Sequence, residues 1–109
     1  MLDKYFEWVE DRWETADQYP DELTIIGLGI GGEAGEVQEN IKKHIRDDKR
    51  VLTDARREKL VLELGDVLHY WCRICQFFDI SPVEIMLNNI DKLNKRDKRK
   101  EKEGAKFTP

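Results

Sequence analysis

The sequence predicts a single all-α domain built as an antiparallel four-helix bundle. Apolar residues recur with the 3.6-residue period of a helix in four segments, and short polar or proline-containing breaks separate these segments. With 109 residues, the chain has room for one modest hydrophobic core. We therefore also expect self-association, as a dimer or a dimer of dimers.

The composition is typical of a cytoplasmic helical protein. Charged and hydrophobic residues each make up 39% of the chain, and no apolar run approaches the roughly 20 residues that span a bilayer. The N terminus is acidic and amphipathic, unlike a signal peptide. The net charge of −4 argues against binding to nucleic acid polymers.

Four helices are predicted, over residues 2–18, 24–46, 54–78 and 82–98. Pro20 stops the first helix, and Thr53 or Asp54 caps the third. Residues 81–84 form a capping box with proline at the first helical position, a strong start for the fourth helix. The domain is expected to span residues 1–98, and the basic residues 99–109 to form a flexible tail.

Two short motifs suggest chemistry that their context does not support. Residues 27–32 match G-x-G-x-x-G, but dinucleotide binding requires a βαβ unit, so small side chains for close approach of a helix or ligand are the better interpretation. Cys72 and Cys75 form a C-x-x-C without a second pair of zinc ligands, deep inside a predicted helix. Buried, reduced thiols are therefore expected.

The most informative residues are two pairs of acids, Glu33 with Glu36 and Glu63 with Asp66. Each pair is spaced three apart, on one face of a predicted helix and among apolar residues. Lys59 is the only lysine or arginine three or four residues from any of them. A shared magnesium or manganese ion would compensate the four charges. A solvated acidic face, or pairing with cations from other helices, remains the alternative.

The resemblance to a known family rests on four segments, residues 28–37, 41–43, 63–68 and 89–93. In order and spacing they resemble the acidic motifs and the late Asn/Lys/Arg segment of MazG-like nucleoside triphosphate pyrophosphohydrolases, an all-α family. The resemblance covers roughly residues 5–96. It implies a homo-oligomeric enzyme that hydrolyses (d)NTPs to (d)NMP and pyrophosphate, either for house-cleaning of non-canonical nucleotides or for turnover of a normal deoxynucleotide.

The resemblance also implies a role for each motif. The catalytic residues and magnesium ligands would be Glu33, Glu36, Glu63 and Asp66, with manganese as a substitute ion. The residues contacting the triphosphate or sugar would be Lys43, Asn89, Lys92 and Arg96, and Trp13 is a speculative contact for the base.

The chain departs from the family pattern at two positions. Gly32 stands where the family often has a first acid, and His69 stands where a bulky aromatic residue is common. The first departure removes an extra ligand or base, and the second affects the nucleobase pocket.

Two other classes of protein fit parts of the sequence. A non-catalytic helical interaction module would explain the amphipathic first helix and the basic tail. A di-iron carboxylate bundle needs two Glu-x-x-His motifs, and only Asp66 with His69 approaches that pattern. Metal-dependent hydrolysis of nucleotides separates the pyrophosphohydrolase from both.

Overall fold

The computed structural model describes residues 1–15 and 21–102, and this part of the chain is helical throughout apart from its connections. The four helices are α1 (Leu2–Thr15), α2 (Glu22–Arg46), α3 (Asp54–Phe77) and α4 (Pro82–Lys102). The predicted all-α fold is confirmed. None of the described helices has the length and apolar character needed to cross a membrane.

The helix boundaries follow the local signals of the sequence. The Asp21 side chain caps α2 by accepting a hydrogen bond from the backbone N–H of Thr24 at 3.1 Å. Of the two caps predicted for α3, the structure uses Thr53, whose hydroxyl accepts from the N–H of Arg56 at 3.1 Å. The α4 helix continues four residues past its predicted end. Residues 16–18 of the predicted first helix and residues 103–109 of the predicted tail lie outside the described residues.

The chain divides into two compact units, Met1–Phe78 and Asp79–Pro109. In the first unit, α3 packs against both α1 and α2. The α2 and α3 helices are antiparallel, since Glu22 of α2 bonds to Arg73 of α3 and, further along α2, Asn40 bonds to Arg56. The second unit contains α4.

The core of the first unit is small and includes both cysteines. Val9, Ile26, Cys72 and Cys75 are its fully buried apolar side chains. Both thiols are free, and burial raises the pKa of each above its usual range. The prediction of buried, reduced thiols is confirmed, and neither cysteine has the low pKa that a reactive thiolate requires.

Three side chains, Asn40, Asp48 and Arg56, form a polar clamp at the end of the α2–α3 hairpin. The guanidinium of Arg56 donates to Asp48 Oδ2 at 2.7 Å and to Asn40 Oδ1 at 2.9 Å. Asn40 Nδ2 donates to the backbone carbonyl of Glu36 at 3.0 Å. The clamp spans the turn in which Lys49 and Arg50 adopt left-handed φ angles of 56° and 64°. It therefore fixes α3 against α2 where the connection is conformationally costly.

The opposite end of the hairpin is held by side chains of α2 and α3 and by a backbone carbonyl of α1. Arg73 Nε of α3 donates to Glu22 Oε1 of α2 at 2.5 Å, and Arg73 Nη1 donates to Gln76 Oε1 at 3.1 Å. Gln76 Nε2 in turn donates to the backbone carbonyl of Phe6 in α1 at 2.7 Å. The two acidic pairs of the sequence lie between this end and the clamp.

The glycines of α2 explain one close contact. A Cβ on Gly29 would overlap the ring of Tyr70, so any larger residue here would require the Tyr70 side chain of α3 to move. At Gly27, Gly31 and Gly32 a Cβ would meet open space. The predicted close approach along the whole glycine-rich stretch is therefore found at a single position within the chain.

Two apolar surfaces are more exposed in the structure than the sequence predicted. The sequence predicts α3 to be buried almost all round, yet Leu62 and Leu64 are exposed. It also predicts the apolar side chains of α4 to face the core, and these are exposed as well: Val83, Met86, Leu87, Ile90 and Leu93. Helical periodicity identifies an apolar stripe, but it does not say what covers that stripe.

Candidate metal centre and adjoining cleft

Three carboxylates converge in the middle of the α2–α3 hairpin. Glu33 of α2 and Glu63 and Asp66 of α3 each offer one oxygen, and these three oxygens lie within 4.8 Å of one another. The antiparallel packing of the hairpin brings the two helices' acids to the same level, and the i, i+3 spacing puts both acids of α3 on one face. We call these three residues the acid cluster.

The charge of the acid cluster is mostly uncompensated. Glu63 is buried, and its Oε1 lies 3.6 Å from Nζ of Lys59, the lysine that the sequence placed one turn before it. Lys59 is 57% exposed, so water screens its charge. Among the residues that the structure describes, one solvated lysine therefore faces three carboxylates.

The repulsion within the cluster is visible at Glu33. Burial raises the pKa of the Glu33 carboxyl, and the negative charges of Asp66, Glu63 and Glu36 raise it further, as does a hydrogen bond with Asp66. Hard carboxylate oxygens in excess over local cations are a donor set that suits magnesium or manganese. Glu33, Glu63 and Asp66 are thus the residues that could hold such an ion.

The fourth predicted acid occupies a different position. Glu36 lies one turn after Glu33 and is exposed, and it is not one of the three residues whose oxygens converge. It is close enough for its charge to raise the pKa of Glu33. The structure therefore brings together three of the four predicted ligands, with a free carboxylate beside them.

A cleft of about 480 Å³ opens next to the acid cluster, between α1, α2 and α3. Glu33 and Asp66 contribute to its wall. The other lining residues are mostly aromatic or apolar: Tyr5, Trp8, Arg12, Val61, Leu62, Gly65, His69 and Tyr70. Its volume is in the range of pockets that hold small molecules, and the lining combines an apolar body with a few polar groups.

The aromatic side chains of the cleft contact one another around His69. The ring centroids of Trp8 and His69 are 6.0 Å apart in an edge-on arrangement, and those of His69 and Tyr70 are 5.5 Å apart. Arg12 Nη1 lies 3.3 Å from His69 Nε2. Burial and then the charge of Arg12 lower the pKa of His69, although Asp66 opposes this. Burial and the charge of Arg12 thus both disfavour the charged imidazolium form of His69.

The predicted base contact, Trp13, is placed behind this wall. Its ring stacks on His69 with centroids 6.0 Å apart and meets Tyr70 edge-on at 6.3 Å. The guanidinium of Arg73 lies 5.7 Å from its centroid. Trp13 does not line the cleft in the described part of the chain, so it supports the rings that do.

Sequence reasoning missed three cleft residues of α1, namely Tyr5, Trp8 and Arg12. A signal for them existed, since their spacings of three and four residues place them on one helix face. The apolar period that predicted α1 did not include Trp8 or Arg12, so this face was not identified as part of a site.

Four further residues were predicted to contact the triphosphate or sugar. Lys43 is half-buried two turns beyond Glu36 on α2, and it is not among the cleft residues. Asn89, Lys92 and Arg96 are exposed on α4, in the second unit of the chain. Their roles remain predictions from the sequence pattern.

Known proteins are similar to this chain in the region that contains the α2–α3 hairpin and its acidic residues. Residues 22–100 match the MazG nucleotide pyrophosphohydrolase domain, a span that includes both acid pairs and most of α4. The chain is also 35% identical over 77 residues to the Gene 37 protein of Mycobacterium phage L5. The aligned region covers 71% of this chain and 68% of the relative. No solved structure shows significant similarity to the chain. With its all-α fold and its domain match over more than two thirds of its length, the chain belongs to the MazG nucleotide pyrophosphohydrolase family.

Proposed function

We propose that this protein hydrolyses nucleoside triphosphates to nucleoside monophosphates and pyrophosphate in a magnesium-dependent reaction. The observation that carries the proposal is the convergence of Glu33, Glu63 and Asp66 beside a cleft large enough for a nucleoside. The family match supplies the class of reaction. Deoxynucleotides and non-canonical nucleotides are both included as substrates in this proposal.

The acid cluster would hold the magnesium ion, with manganese as a substitute. Three carboxylates in contact with a polyanionic substrate would otherwise repel it, and the charges of Asp66 and Glu63 contribute, after burial, to the raised pKa of Glu33. When bound, the ion supplies positive charge for the triphosphate and lowers the pKa of water. Lys59 offsets part of the charge of Glu63.

We assign Glu36 the role of proton acceptor. Its carboxylate is exposed and lies outside the three converging oxygens, so it is free to take a proton from the attacking water. In the proposed reaction the water oxygen bonds to the α-phosphorus. The bond from that phosphorus to the bridging oxygen breaks, and pyrophosphate leaves with the electron pair. Glu36 is thus distinct from the carboxylates that bind the cation.

The nucleoside would lie in the aromatic part of the cleft. Trp8, Tyr5 and His69 present rings on which a base can stack, an interaction worth about 1–3 kcal/mol per base in other proteins. Trp13 supports His69 from behind and so contributes to base binding indirectly.

The residues that the sequence predicted to contact the triphosphate or sugar remain part of the proposal. Lys43, Lys92 and Arg96 are assigned to the charge that develops on the leaving pyrophosphate, and Asn89 to the phosphate or sugar, on the sequence pattern alone. A loss of catalytic efficiency in single alanine variants, without loss of folding, tests each assignment.

We also propose that the protein is cytoplasmic and self-associates. Leu28 of α2 is 73% exposed and Leu62 of α3 is 66% exposed, values that are high for leucines on packed helices. A dimer or a dimer of dimers would cover these side chains. Sedimentation equilibrium of the wild-type chain and of Leu28→Glu tests the assembly.

The reaction is tested by following both products. Purified protein is incubated with a panel of ribo- and deoxynucleoside triphosphates in magnesium, in manganese and in EDTA, and products are resolved by phosphorus NMR. We expect monophosphate and pyrophosphate in equal amounts, with no turnover in EDTA. Release of orthophosphate and a nucleoside diphosphate would contradict the proposal. Turnover that EDTA does not affect would also contradict it.

A further inference from the structure

Lys59 forms a loose ion pair with the most buried carboxylate of the acid cluster. Its Nζ lies 3.6 Å from Glu63 Oε1, whereas a charge-assisted hydrogen bond between such groups is about 2.7–2.9 Å long. The side chain of Glu63 is 11% exposed and that of Lys59 is 57% exposed. The carboxylate is therefore held inside the hairpin, while the ammonium group lies at its surface on a flexible stem. Such a pair contributes little energy and is easily exchanged for a stronger one.

The position of Lys59 on α3 continues the line of the proposed site. Tyr70, Asp66, Glu63 and Lys59 follow one another at intervals of four, three and four residues, which places them on one helix face. Tyr70 and Asp66 line the aromatic cleft. Lys59 lies about 6 Å beyond Glu63 along the helix axis, in the direction away from that cleft. Along α3, the acids of the cluster therefore lie between the cleft and Lys59.

A nucleotide bound along this face would meet these groups in the order of its own parts. With the base in the aromatic cleft and the α-phosphate at the acid cluster, the β- and γ-phosphates extend past Glu63 towards Lys59. A divalent cation and the Lys59 ammonium compete for the same carboxylate of Glu63. When Glu63 binds the cation, the three N–H donors of Lys59 become available to phosphate oxygens.

We propose that Lys59 exchanges partners, pairing with Glu63 in the metal-free chain and with the terminal phosphates of a bound triphosphate. The inference rests on the proposed function, because it takes the metal ion at the acid cluster and the base in the cleft from it. Lys59 thereby compensates negative charge on the pyrophosphate as it leaves. Loss of Lys59 should therefore affect metal binding and triphosphate binding in opposite directions.

The first test measures these two affinities separately in Lys59→Gln. Electron paramagnetic resonance gives the Kd of Mn²⁺ without nucleotide, and we expect about threefold tighter binding because a competing cation has been removed. Calorimetry in saturating magnesium gives the Kd of the non-hydrolysable α,β-imido analogues of the four dNTPs. Those that the wild type binds should bind about tenfold more weakly, the size of one charge-assisted contact. A lysine that merely supports the fold would weaken both ligands together.

A second comparison identifies which end of the nucleotide Lys59 contacts. Deoxynucleoside monophosphates lack the terminal phosphates, so their Kd should stay within about twofold of wild type in Lys59→Gln. Lys59→Arg keeps the positive charge and should bind the triphosphate analogues within about threefold of wild type. Equal weakening of monophosphate and triphosphate in Lys59→Gln would overturn the inference.

The matched control removes a lysine that has the same kind of partner outside the site. Lys42 on α2 pairs with Glu39 at 3.9 Å and is 60% exposed, and it lies nine residues after Glu33, about half a helical turn round. Lys42→Gln should leave the Kd of manganese and of the triphosphate analogues unchanged. Circular dichroism should show all variants folded.

The outcomes separate this inference from the proposed reaction. Opposite shifts of the two Kd values in Lys59→Gln support the inference even if no nucleotide is hydrolysed, and then only the reaction fails. If Lys59→Gln weakens manganese binding or leaves triphosphate binding unchanged, the inference is overturned, and pyrophosphate release by the wild type leaves the proposed function intact. If the wild type neither binds any analogue nor hydrolyses any nucleotide, both claims are overturned.

Discussion

Two polar sites lie between α2 and α3, and they are built on opposite electrostatic principles. In the polar clamp, the Arg56 guanidinium bonds to Asp48 and Asn40, and both charged side chains are only 16–17% exposed. In the acid cluster, three carboxylates share one solvated lysine. The two sites belong to the same helix pair, so their difference cannot be attributed to the fold.

This difference distinguishes the clamp, whose polar groups stabilise the fold, from the acid cluster, whose polar groups are arranged to bind a ligand. A buried polar group with its partners in place stabilises the native state, whereas clustered like charges destabilise it. Proteins retain such a destabilising arrangement where function requires it. Substitutions in the clamp should therefore lower stability, whereas those in the cluster should lower activity and can raise the stability of the metal-free protein.

The largest effect is expected from Glu63→Gln. Glutamine keeps the shape of the side chain but removes the negative charge on which cation binding depends. We expect pyrophosphate release to fall about a thousandfold or more, as when a group stabilising the transition state is removed. Stopped assays at saturating magnesium and nucleotide measure the loss.

The matched control for Glu63 is Glu58→Gln on the exposed surface of the same helix. It removes the same charge outside the cluster, so activity should stay within about twofold of wild type, since surface substitutions cost little. A comparable loss in both variants would mean that net charge, rather than the cluster, governs activity.

In the clamp, Arg56→Ala should cost stability. It leaves Asp48 and Asn40 without their shared partner in a half-buried site, a loss of about 2 kcal/mol for a hydrogen bond to a charged group. The neighbouring Arg57 is exposed, so Arg57→Ala should change stability by less than about 0.5 kcal/mol. Urea denaturation of both variants measures the difference, and equal destabilisation would contradict the clamp.

The sequence contained different amounts of information about the two sites. The acid cluster could be predicted because each pair lies on one helix and lacks a local cation, both of which are properties of spacing. The clamp could not be predicted, because Asn40 and Arg56 are 16 residues apart and meet only through the turn between the helices. The helices themselves were predictable from local periodicity and caps.

The cleft could be predicted only in part, so it is intermediate between the acid cluster and the clamp. Its α3 wall follows the predicted acidic face, but its α1 wall, with Trp8 and Arg12, depends on how α1 packs against α3. An interhelical packing of this kind involves contacts that no short sequence window contains. For the same reason, the sequence could not say which glycine of α2 would meet α3.

Gly29→Ala tests the packing that shapes the cleft. The added methyl group would displace the Tyr70 ring, and overpacking of this kind costs about 1–3 kcal/mol. The gain of alanine over glycine in a helix, about 1 kcal/mol, offsets part of this cost. We expect a net loss of about 1 kcal/mol in urea denaturation, together with a raised KM because Tyr70 lines the cleft.

Gly31→Ala is the control for Gly29, since a Cβ there meets open space. It should stabilise the chain by about 0.5–1 kcal/mol through helix propensity alone, without changing KM. If Gly31→Ala is instead the more destabilising of the two, that face of α2 is occupied in solution, as the proposed self-association would require.

The smallest effect is a gain of stability from Glu33→Gln in metal-free protein. Burial and then the neighbouring negative charges raise the pKa of Glu33 in the folded state, so its ionised form destabilises the fold at neutral pH. Removing one like-charge interaction of about 0.5 kcal/mol should raise Tm by about 2–4 °C at pH 7 in EDTA. Differential scanning calorimetry of both proteins measures the shift.

The pH dependence of this gain follows from the sign of the pKa shift. Between the ordinary glutamate pKa and the raised value, the folded state binds more protons than the unfolded state, so wild-type stability falls as pH rises. The advantage of Glu33→Gln should therefore disappear below about pH 4, where Glu33 is protonated in both states. Saturating magnesium should reverse the order at pH 7, because the ion stabilises only the protein whose three carboxylates bind it. A glutamine variant that is less stable in EDTA would show that the cluster holds the hairpin together, as the clamp does.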